Sequence, residues 1–215
     1  MYIYEKEVIE KDEDKIPSMY DRGFVLTRKG EGVMQKIQSL RVSLKEFSLS
    51  SENRRVLRKI PNLGFEVLNL PLLDYDWNIH AMGKTFYSQK FGKNTMSANK
   101  IKDIVKNKKT SFNTILKFNT EARTVGYCIC FLKDKILHYA YPFYDTEYIS
   151  MGLGIGMMTK TIEYAKDENM EYVYLGSVYK RESLYKLQFK GEEWFFEDKW
   201  NTDIPALKNV LRDKT

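Results

Sequence analysis

The residues with most chemistry to offer lie between Phe143 and Lys190. Asp145 and Glu147 follow an apolar, aromatic run from His138 to Tyr144. A carboxylate there would orient or deprotonate an incoming amine, or simply interact with the dipole of a following helix. Gly152, Gly154 and Gly156 open that helix, and free N–H groups at its positive end would face an anion or a carbonyl. The same glycines would also let the helix pack close to a strand. Lys186 and Lys190 supply cations beyond the next apolar run. Cys128 and Cys130 sit two apart in an apolar strand and read as buried, reduced thiols. His80 has no His, Cys or carboxylate at ligand spacing, so no metal site is expected. Two basic clusters stand apart from this stretch. Arg54, Arg55 and Arg58 fall within five residues, and Lys100, Lys106 and Lys109 belong to a lysine-rich segment. Each cluster is either a solvated face or a phosphate-contacting one.

These residues need elements to hold them. Leu153, Met157, Met158, Thr161, Ile162 and Ala165 recur at helical spacing between the strand candidates 136–144 and 172–175. A helix of that length between two strands implies a parallel pair. Phe112–Phe118, Val125–Leu132 and Ile136–Tyr144 read as consecutive strands, the middle one apolar on both faces and so central to a sheet. Leu40, Val42 and Leu44 alternate with Arg41, Ser43 and Lys45, the pattern of a half-exposed strand. Ser50 or Ser51 caps a helix through Lys59, and Pro61 and Gly64 end it. Helices are expected over 77–91, 97–109, 181–189 and 205–212, with strands at 24–27, 65–70 and 194–200. Residues 1 to about 18 read as a solvated, charged arm. The chain divides into a lobe over 1–60, holding the arm and a basic strand and helix, and a mixed α/β domain over 61–215.

The 215 residues carry 35 Lys plus Arg against 29 Asp plus Glu, a net charge of +6. This favours polyanionic partners where the charge is clustered. Charges break every long apolar stretch, and the N-terminus lacks a signal peptide's order of charge and apolar residues. A soluble, cytoplasmic protein with no membrane segment is expected.

Four motifs, in order over about residues 19–195, resemble the aminoacyl-tRNA–protein transferases. Asp21-Arg-Gly-Phe24 is similar to that family's N-terminal turn. Leu40 to Leu57 is similar to its arginine-bearing strand and serine-capped basic helix. Phe143-Tyr-Asp-Thr-Glu-Tyr148 with Leu153-Gly154 resembles its aromatic-acidic strand end and helix start. Tyr172-Val-Tyr-Leu-Gly176 and Tyr185-Lys-Leu-Gln-Phe-Lys190 resemble its next strand and its Tyr-Lys-x-x-Phe-basic motif. One feature departs: Lys29 to Lys36 stands where the family usually carries a cysteine cluster, so a metal or iron–sulfur site there is absent. Gly191 replaces a usual Pro.

The resemblance implies an N-acetyltransferase-like fold whose sheet splays around the acyl donor. It implies transfer of Arg or Leu from aminoacyl-tRNA to the N-terminal amine of a protein or peptide, often an acidic one, which marks it for degradation. Aminolysis of an ester asks for proximity, a hydrogen bond to the oxyanion and a route for one proton. No cofactor is expected beyond the charged tRNA. On this reading Asp145, Glu147, Tyr174 and Lys186 are the catalytic candidates. Gly152, Gly154, Gly156, Gly176, Tyr185 and Lys190 bind substrate. Arg41, Arg54, Arg55, Arg58, Lys100, Lys106 and Lys109 contact tRNA. Two alternatives stay open: an acyl-CoA-dependent N-acyltransferase on the same fold, although Ile149 and Met151 replace the residue that would grip a pyrophosphate, and a non-catalytic RNA-binding or adaptor relative.

Overall fold

A computed structural model describes residues 6–121 and 123–212. In chain order the elements are β1 (Lys6–Ile9), α1 (Ile16–Asp21), β2 (Phe24–Leu26), β3 (Val33–Lys36), β4 (Ser39–Ser43), α2 (Ser51–Lys59), β5 (Gly64–Asn69), α3 (Trp77–Phe91), α4 (Ala98–Val105), β6 (Thr114–Asn119), β7 (Thr124–Lys133), β8 (Ile136–Tyr144), α5 (Leu153–Asp167), β9 (Tyr172–Ser177), β10 (Glu192–Phe196), β11 (Lys199–Asn201) and α6 (Ile204–Arg212). The main sheet has eight strands in the order β11-β10-β4-β9-β8-β7-β6-β5. All neighbours are antiparallel except β8 and β9, which run parallel and are joined through α5. An antiparallel sheet with one parallel, helix-linked pair that splays partway along its length is the N-acetyltransferase-like arrangement, within the mixed α/β class.

Local signals place the helices. Ser50 and Asn53 exchange side-chain and backbone hydrogen bonds at the start of α2. At the starts of α3 and α4 the Asp76 and Ser97 side chains each accept one backbone N–H, from Asn78 and Lys100, that the helix leaves open. Gly152 begins α5 at φ 81°, a backbone that favours glycine. Gly126 on β7 leaves room for Met157 of α5, while Gly83 of α3 leaves room for Phe143 and for Ile101 of α4. Gly126 pairs with Tyr144, and Phe143 and Tyr144 are successive strand residues that point to opposite faces. The sheet is therefore covered by α5 with α2 on one face and by α3 with α4 on the other.

Several expectations change, among them the helix expected over 181–189, which is a short 3-10 helix over Arg181–Lys186. The described part of the arm is built into the fold: β1 pairs with β3, and Ile16 is fully buried in the core; residues 1–5 lie outside the described ones. All of β4 is buried instead of half-exposed, because it is an interior strand between β9 and β10. Its polar face is covered by Trp200 and by Asp21 of α1. The closing strand near 194–200 is a hairpin of β10 and β11. Glu197 and Asp198 both adopt positive φ, as a tight two-residue hairpin loop requires. Of the segment 1–60, residues 6–36 build a separate three-stranded sheet, while 39–43 belong to the main one.

Glu192 of β10 is buried and accepts a hydrogen bond from the Phe189 N–H at 2.7 Å, and burial pushes its carboxyl up to about 7 from an ordinary 4.5. Between those values the unfolded chain has released its proton and the folded chain still holds it. Stability therefore falls as pH rises through that window, by an amount on the order of 3 kcal/mol. Glu192→Gln is expected to melt about 5 °C or more above wild type at pH 8 and level with it at pH 4. Thermal unfolding at the two pH values checks this.

Candidate active site

The last parallel pair is His138 with Tyr174, and beyond it β8 and β9 no longer pair with each other. Both strands are bent there. Cys130 pairs with Tyr139 and Ile129 with Tyr141, so Ala140 is an extra residue that kinks β8 away from its old line. On the other side Leu40 pairs with Gly176 and Arg41 with Tyr174, which makes Leu175 extra, and Gly176 takes φ 74°. The strands part, and a cleft of about 600 Å³ opens between them.

Aromatic rings form much of its wall. Tyr139, Tyr141 and Tyr144 come from β8, Phe86, Tyr87 and Phe91 from the last turns of α3, and Tyr179 and Tyr185 from the segment after β9. Gly154 and Met158 of α5 close the opposite side, so the cleft reaches both faces of the sheet. Tyr144 packs against Phe86 at 4.5 Å between ring centres. A Cβ on Gly154 would stand 2.8 Å from the Tyr144 hydroxyl, so this glycine makes space for that ring. The Tyr139 hydroxyl is buried at the floor with no hydrogen-bond partner among the described residues.

Lys186 is the polar centre. The splay leaves the carbonyls of Leu175 and Ser177 without a β8 partner, and Lys186 Nζ donates to them at 2.7 and 3.0 Å. Burial, with a smaller push from the nearby Lys90 charge, brings its pKa down to about 8. A neutral amine has two N–H groups, which match the two carbonyls and leave its lone pair for the cleft; the ammonium form would offer a third donor instead. His138 lies below, with its Nδ1 2.8 Å from the Tyr20 hydroxyl. Burial and then Lys186 hold its pKa down at about 3, so the imidazole is neutral and a poor proton acceptor. Lys90 reaches in from α3, 3.3 Å from the Tyr144 hydroxyl and 5.3–5.7 Å from the ring centres of Phe86, Phe91, Tyr144 and Tyr185.

The structure gathers only part of the expected set. Lys186, Tyr185 and Gly154 line the cleft, and Gly176 shapes it. Gly152 and Gly156 face α2 instead: a Cβ on Gly156 would meet Ile60 and Leu63 at 3.1 Å, and Gly152 lies against Val56. Their smallness sets helix packing. Asp145 and Glu147 are held by Arg123 at 2.8 and 2.9 Å and do not line the cleft, so neither carboxylate faces an amine there. Tyr174 turns its hydroxyl the other way, toward Arg41 and Asp21, each at 3.2 Å. Arg41 is buried, bound to Glu193 at 2.7 Å and flanked by the rings of Tyr172 and Trp200, so it is no surface for a phosphate. Lys190 is exposed and outside the cleft.

Arg54, Arg55 and Arg58 are exposed on α2, with Arg55 paired to Glu52. Lys106 and Lys109 are exposed and Lys100 half-exposed, with Lys106 over the Tyr75 ring and Lys109 paired to Asp103. The two basic clusters thus occupy opposite faces of the sheet. Lys90 and the β8 tyrosines were missed from sequence. The available signal was the spacing Phe86, Tyr87, Lys90, Phe91, one face of a helix end, beside the run Tyr139-Ala-Tyr-Pro-Phe-Tyr144. Among the described residues no group of His, Cys, Asp and Glu is placed to hold a metal ion. No helix among them is long and apolar enough to cross a membrane.

Residues 73–195, more than half the chain, match the family described as arginine-tRNA-protein transferase, C terminus. That segment contains every residue that lines the cleft. No curated protein matches the sequence. Among solved structures, L-PGS from Bacillus licheniformis is 12% identical with a TM-score of 0.49, over 93% of this chain and 70% of that one. The C-terminal domain of a protein described as a lysylphosphatidylglycerol synthetase from Agrobacterium fabrum is 11% identical with a TM-score of 0.48, over 76% of this chain and 51% of that one. FemX is 10% identical with a TM-score of 0.45, over 97% of this chain and 68% of that one. Likenesses this distant carry no argument about activity.

Proposed function

We propose, because the chain belongs to the family of the arginine-tRNA-protein transferase C terminus, that it moves an aminoacyl group from tRNA to the N-terminal amine of an acceptor protein or peptide. The observation that carries this reading is the placement of the whole cleft, with Lys186 at its centre, inside the matched segment. The amine nitrogen attacks the ester carbonyl and the bond from carbonyl carbon to ribose oxygen breaks. One proton must pass from the attacking amine to the departing oxygen. Lys186 suits that relay, since a pKa of about 8 lets it accept the proton and give it up again near neutral pH. The cleft supplies the rest by holding amine and ester together.

The donor this cleft favours is a neutral, apolar amino acid such as Leu in preference to Arg. Lys90, Lys180 and Lys186 all line it against a single carboxylate, the exposed Glu182. A guanidinium would enter among cations, whereas an apolar side chain meets aromatic rings. Incubation with a bulk pool of charged tRNA and an Asp-initiated peptide, read by product mass, tests both parts. Transfer of leucine with arginine excluded is expected. Acyl transfer from acetyl-CoA with no use of charged tRNA, or tRNA binding without any transfer, would overturn the reading.

The tRNA would lie on the α2 and α5 face. Replacing Arg54, Arg55 and Arg58 together by Ala is expected to weaken tRNA binding and to flatten the slope of log affinity against log salt by about 2, as loss of two to three phosphate contacts requires. Replacing Lys100, Lys106 and Lys109 together serves as the comparison on the opposite face. Titrations at several salt concentrations check this, and a larger slope change in the lysine variant would move the tRNA to the α3 and α4 face.

A further inference from the structure

Aminolysis of an ester needs the reactants held together, a path for one proton, and a hydrogen bond to the oxygen that becomes negative as the amine attacks. The cleft supplies the first and Lys186 suits the second, which leaves the third without a group. Several polar groups of the cleft are already engaged. Lys186 Nζ donates to the Leu175 and Ser177 carbonyls, the Tyr87 hydroxyl donates to the Pro142 carbonyl at 3.1 Å, and the Tyr141 hydroxyl accepts the Arg28 N–H at 3.0 Å. Tyr139 differs. Of the buried side-chain polar atoms without a hydrogen-bond partner among the described residues, its hydroxyl is the one that belongs to the cleft. A phenol shut away from water with its bond unmade is costly, and a native structure that keeps one has a use for it.

The position of Tyr139 fits that use. Tyr139 follows His138, the last residue of β8 to pair with β9, and Leu175 follows Tyr174, the other member of that pair. The Leu175 carbonyl is one of the two that hold Lys186. The phenol on β8 and the amine held by β9 therefore stand where the strands begin to part, on either side of the opening. The titratable groups nearest the phenol are the thiols of Cys128 and Cys130 and the phenols of Tyr185 and Tyr144. Burial among them pushes its pKa well above the ordinary 10, so the oxygen keeps its hydrogen and acts as a donor. In so dry a setting a hydrogen bond to an anion is at its strongest.

We propose that Tyr139 is a catalytic residue whose hydroxyl donates to the carbonyl oxygen of the aminoacyl ester as that oxygen becomes an oxyanion. This rests on the transfer reading above. As the amine nitrogen bonds to the carbonyl carbon, the electron pair of the C=O bond moves onto the oxygen, which accepts the Tyr139 O–H without taking its proton. The pair then returns to re-form the carbonyl while the bond to the ribose oxygen breaks, and the amine's proton travels by Lys186 to that oxygen. The ester reaches the hydroxyl by displacing side-chain atoms that cover it.

The test compares Tyr139→Phe with wild type in transfer from charged tRNA to an Asp-initiated peptide, together with thermal unfolding. Phe keeps the ring and removes only the hydroxyl. Loss of one oxyanion donor is expected to lower kcat by about 10²–10³-fold. KM for tRNA and for peptide should stay within about twofold of wild type, because the bond forms only as charge develops. The variant should melt at or above the wild-type temperature, since it no longer buries an unpaired hydroxyl. A kcat within about threefold of wild type would give the oxyanion to another donor, such as a backbone N–H of β9, and overturn the assignment. A raised KM at unchanged kcat would mark a contact made already in the ground state, and a lowered melting temperature would mark a hydroxyl that holds the fold; either overturns it as well. Wild type that transfers no amino acid removes the transfer reading and this assignment with it, whereas an active wild type with an equally active variant removes the assignment alone.

Discussion

Replacing Lys186 by Met is expected to lower kcat/KM for aminoacyl transfer by about 10²–10⁴-fold, the usual contribution of a positioned proton carrier. The pH profile distinguishes this role from simple packing. The acceptor amine, with an ordinary pKa of about 7.7–8.0, must be neutral to attack, and Lys186, brought down to about 8, must be neutral to take its proton. Each requirement lowers the rate tenfold per pH unit below its pKa. Log kcat/KM for wild type should therefore approach a slope of two between about pH 6 and 7, and Lys186→Met should show a slope of one. Lys186→Arg should fail as completely, because a guanidinium does not deprotonate in this range. The substitution also strips the Leu175 and Ser177 carbonyls of their partner, so circular dichroism on the variant must show a folded protein. A folded Lys186→Met variant with the wild-type rate and slope would place the proton carrier elsewhere.

The second large effect is on stability. Arg41→Met is expected to cost about 3–5 kcal/mol, the range seen when one member of a buried ion pair is removed, and to lower Tm by about 10 °C or more. Arg41 binds Glu193 of β10 at 2.7 Å, Asp21 of α1 at 3.2 Å and the Tyr174 hydroxyl of β9 at 3.2 Å. Its guanidinium lies between the rings of Tyr172 and Trp200, at 3.8 and 4.0 Å from their centres. One side chain thus ties the β4, β9 and β10 core of the sheet to α1 and β11. Met keeps an apolar stem between the rings, so the loss reports the charge, and the mostly buried Glu193 carboxylate is left without its cation. Denaturant unfolding measures it. Unchanged stability together with weakened tRNA binding would return Arg41 to the surface role that its motif suggests.

Local patterns in the chain already determine its elements and their joining. The 3.6-residue spacing of Leu153 to Ala165 defines α5, Ser50 starts α2, and the two-faced apolar run at 125–132 identifies β7 as a central strand. The helix between β8 and β9 points to a parallel pair, although β5 and β6, also joined through helices, pair antiparallel. Family membership was legible in four motifs, since their spacing survives where the fold does. Lys186 and Tyr185 were legible with them.

What the tertiary structure alone decided is which of those residues share a cavity. Asp145 stands at a strand end in the sequence, but Arg123, twenty-two positions earlier, turns its carboxylate away from the cleft. The alternation around Arg41 predicts a wet face, and it is wet only until α1 and β11 fold over it. His138 finds Tyr20 across 118 residues. The extra residues Ala140 and Leu175, which bend β8 and β9 apart, exist only as a mismatch between paired strands. Lys90 joins Lys186 for the same reason: one is on α3 and the other on the segment after β9, and they meet where β8 and β9 part. Periodicity and caps are properties of neighbours in the chain, so the sequence by itself carries them. Register, burial and the company of a charge are sums over segments that meet only when the sheet has closed, and so they were settled by the tertiary structure.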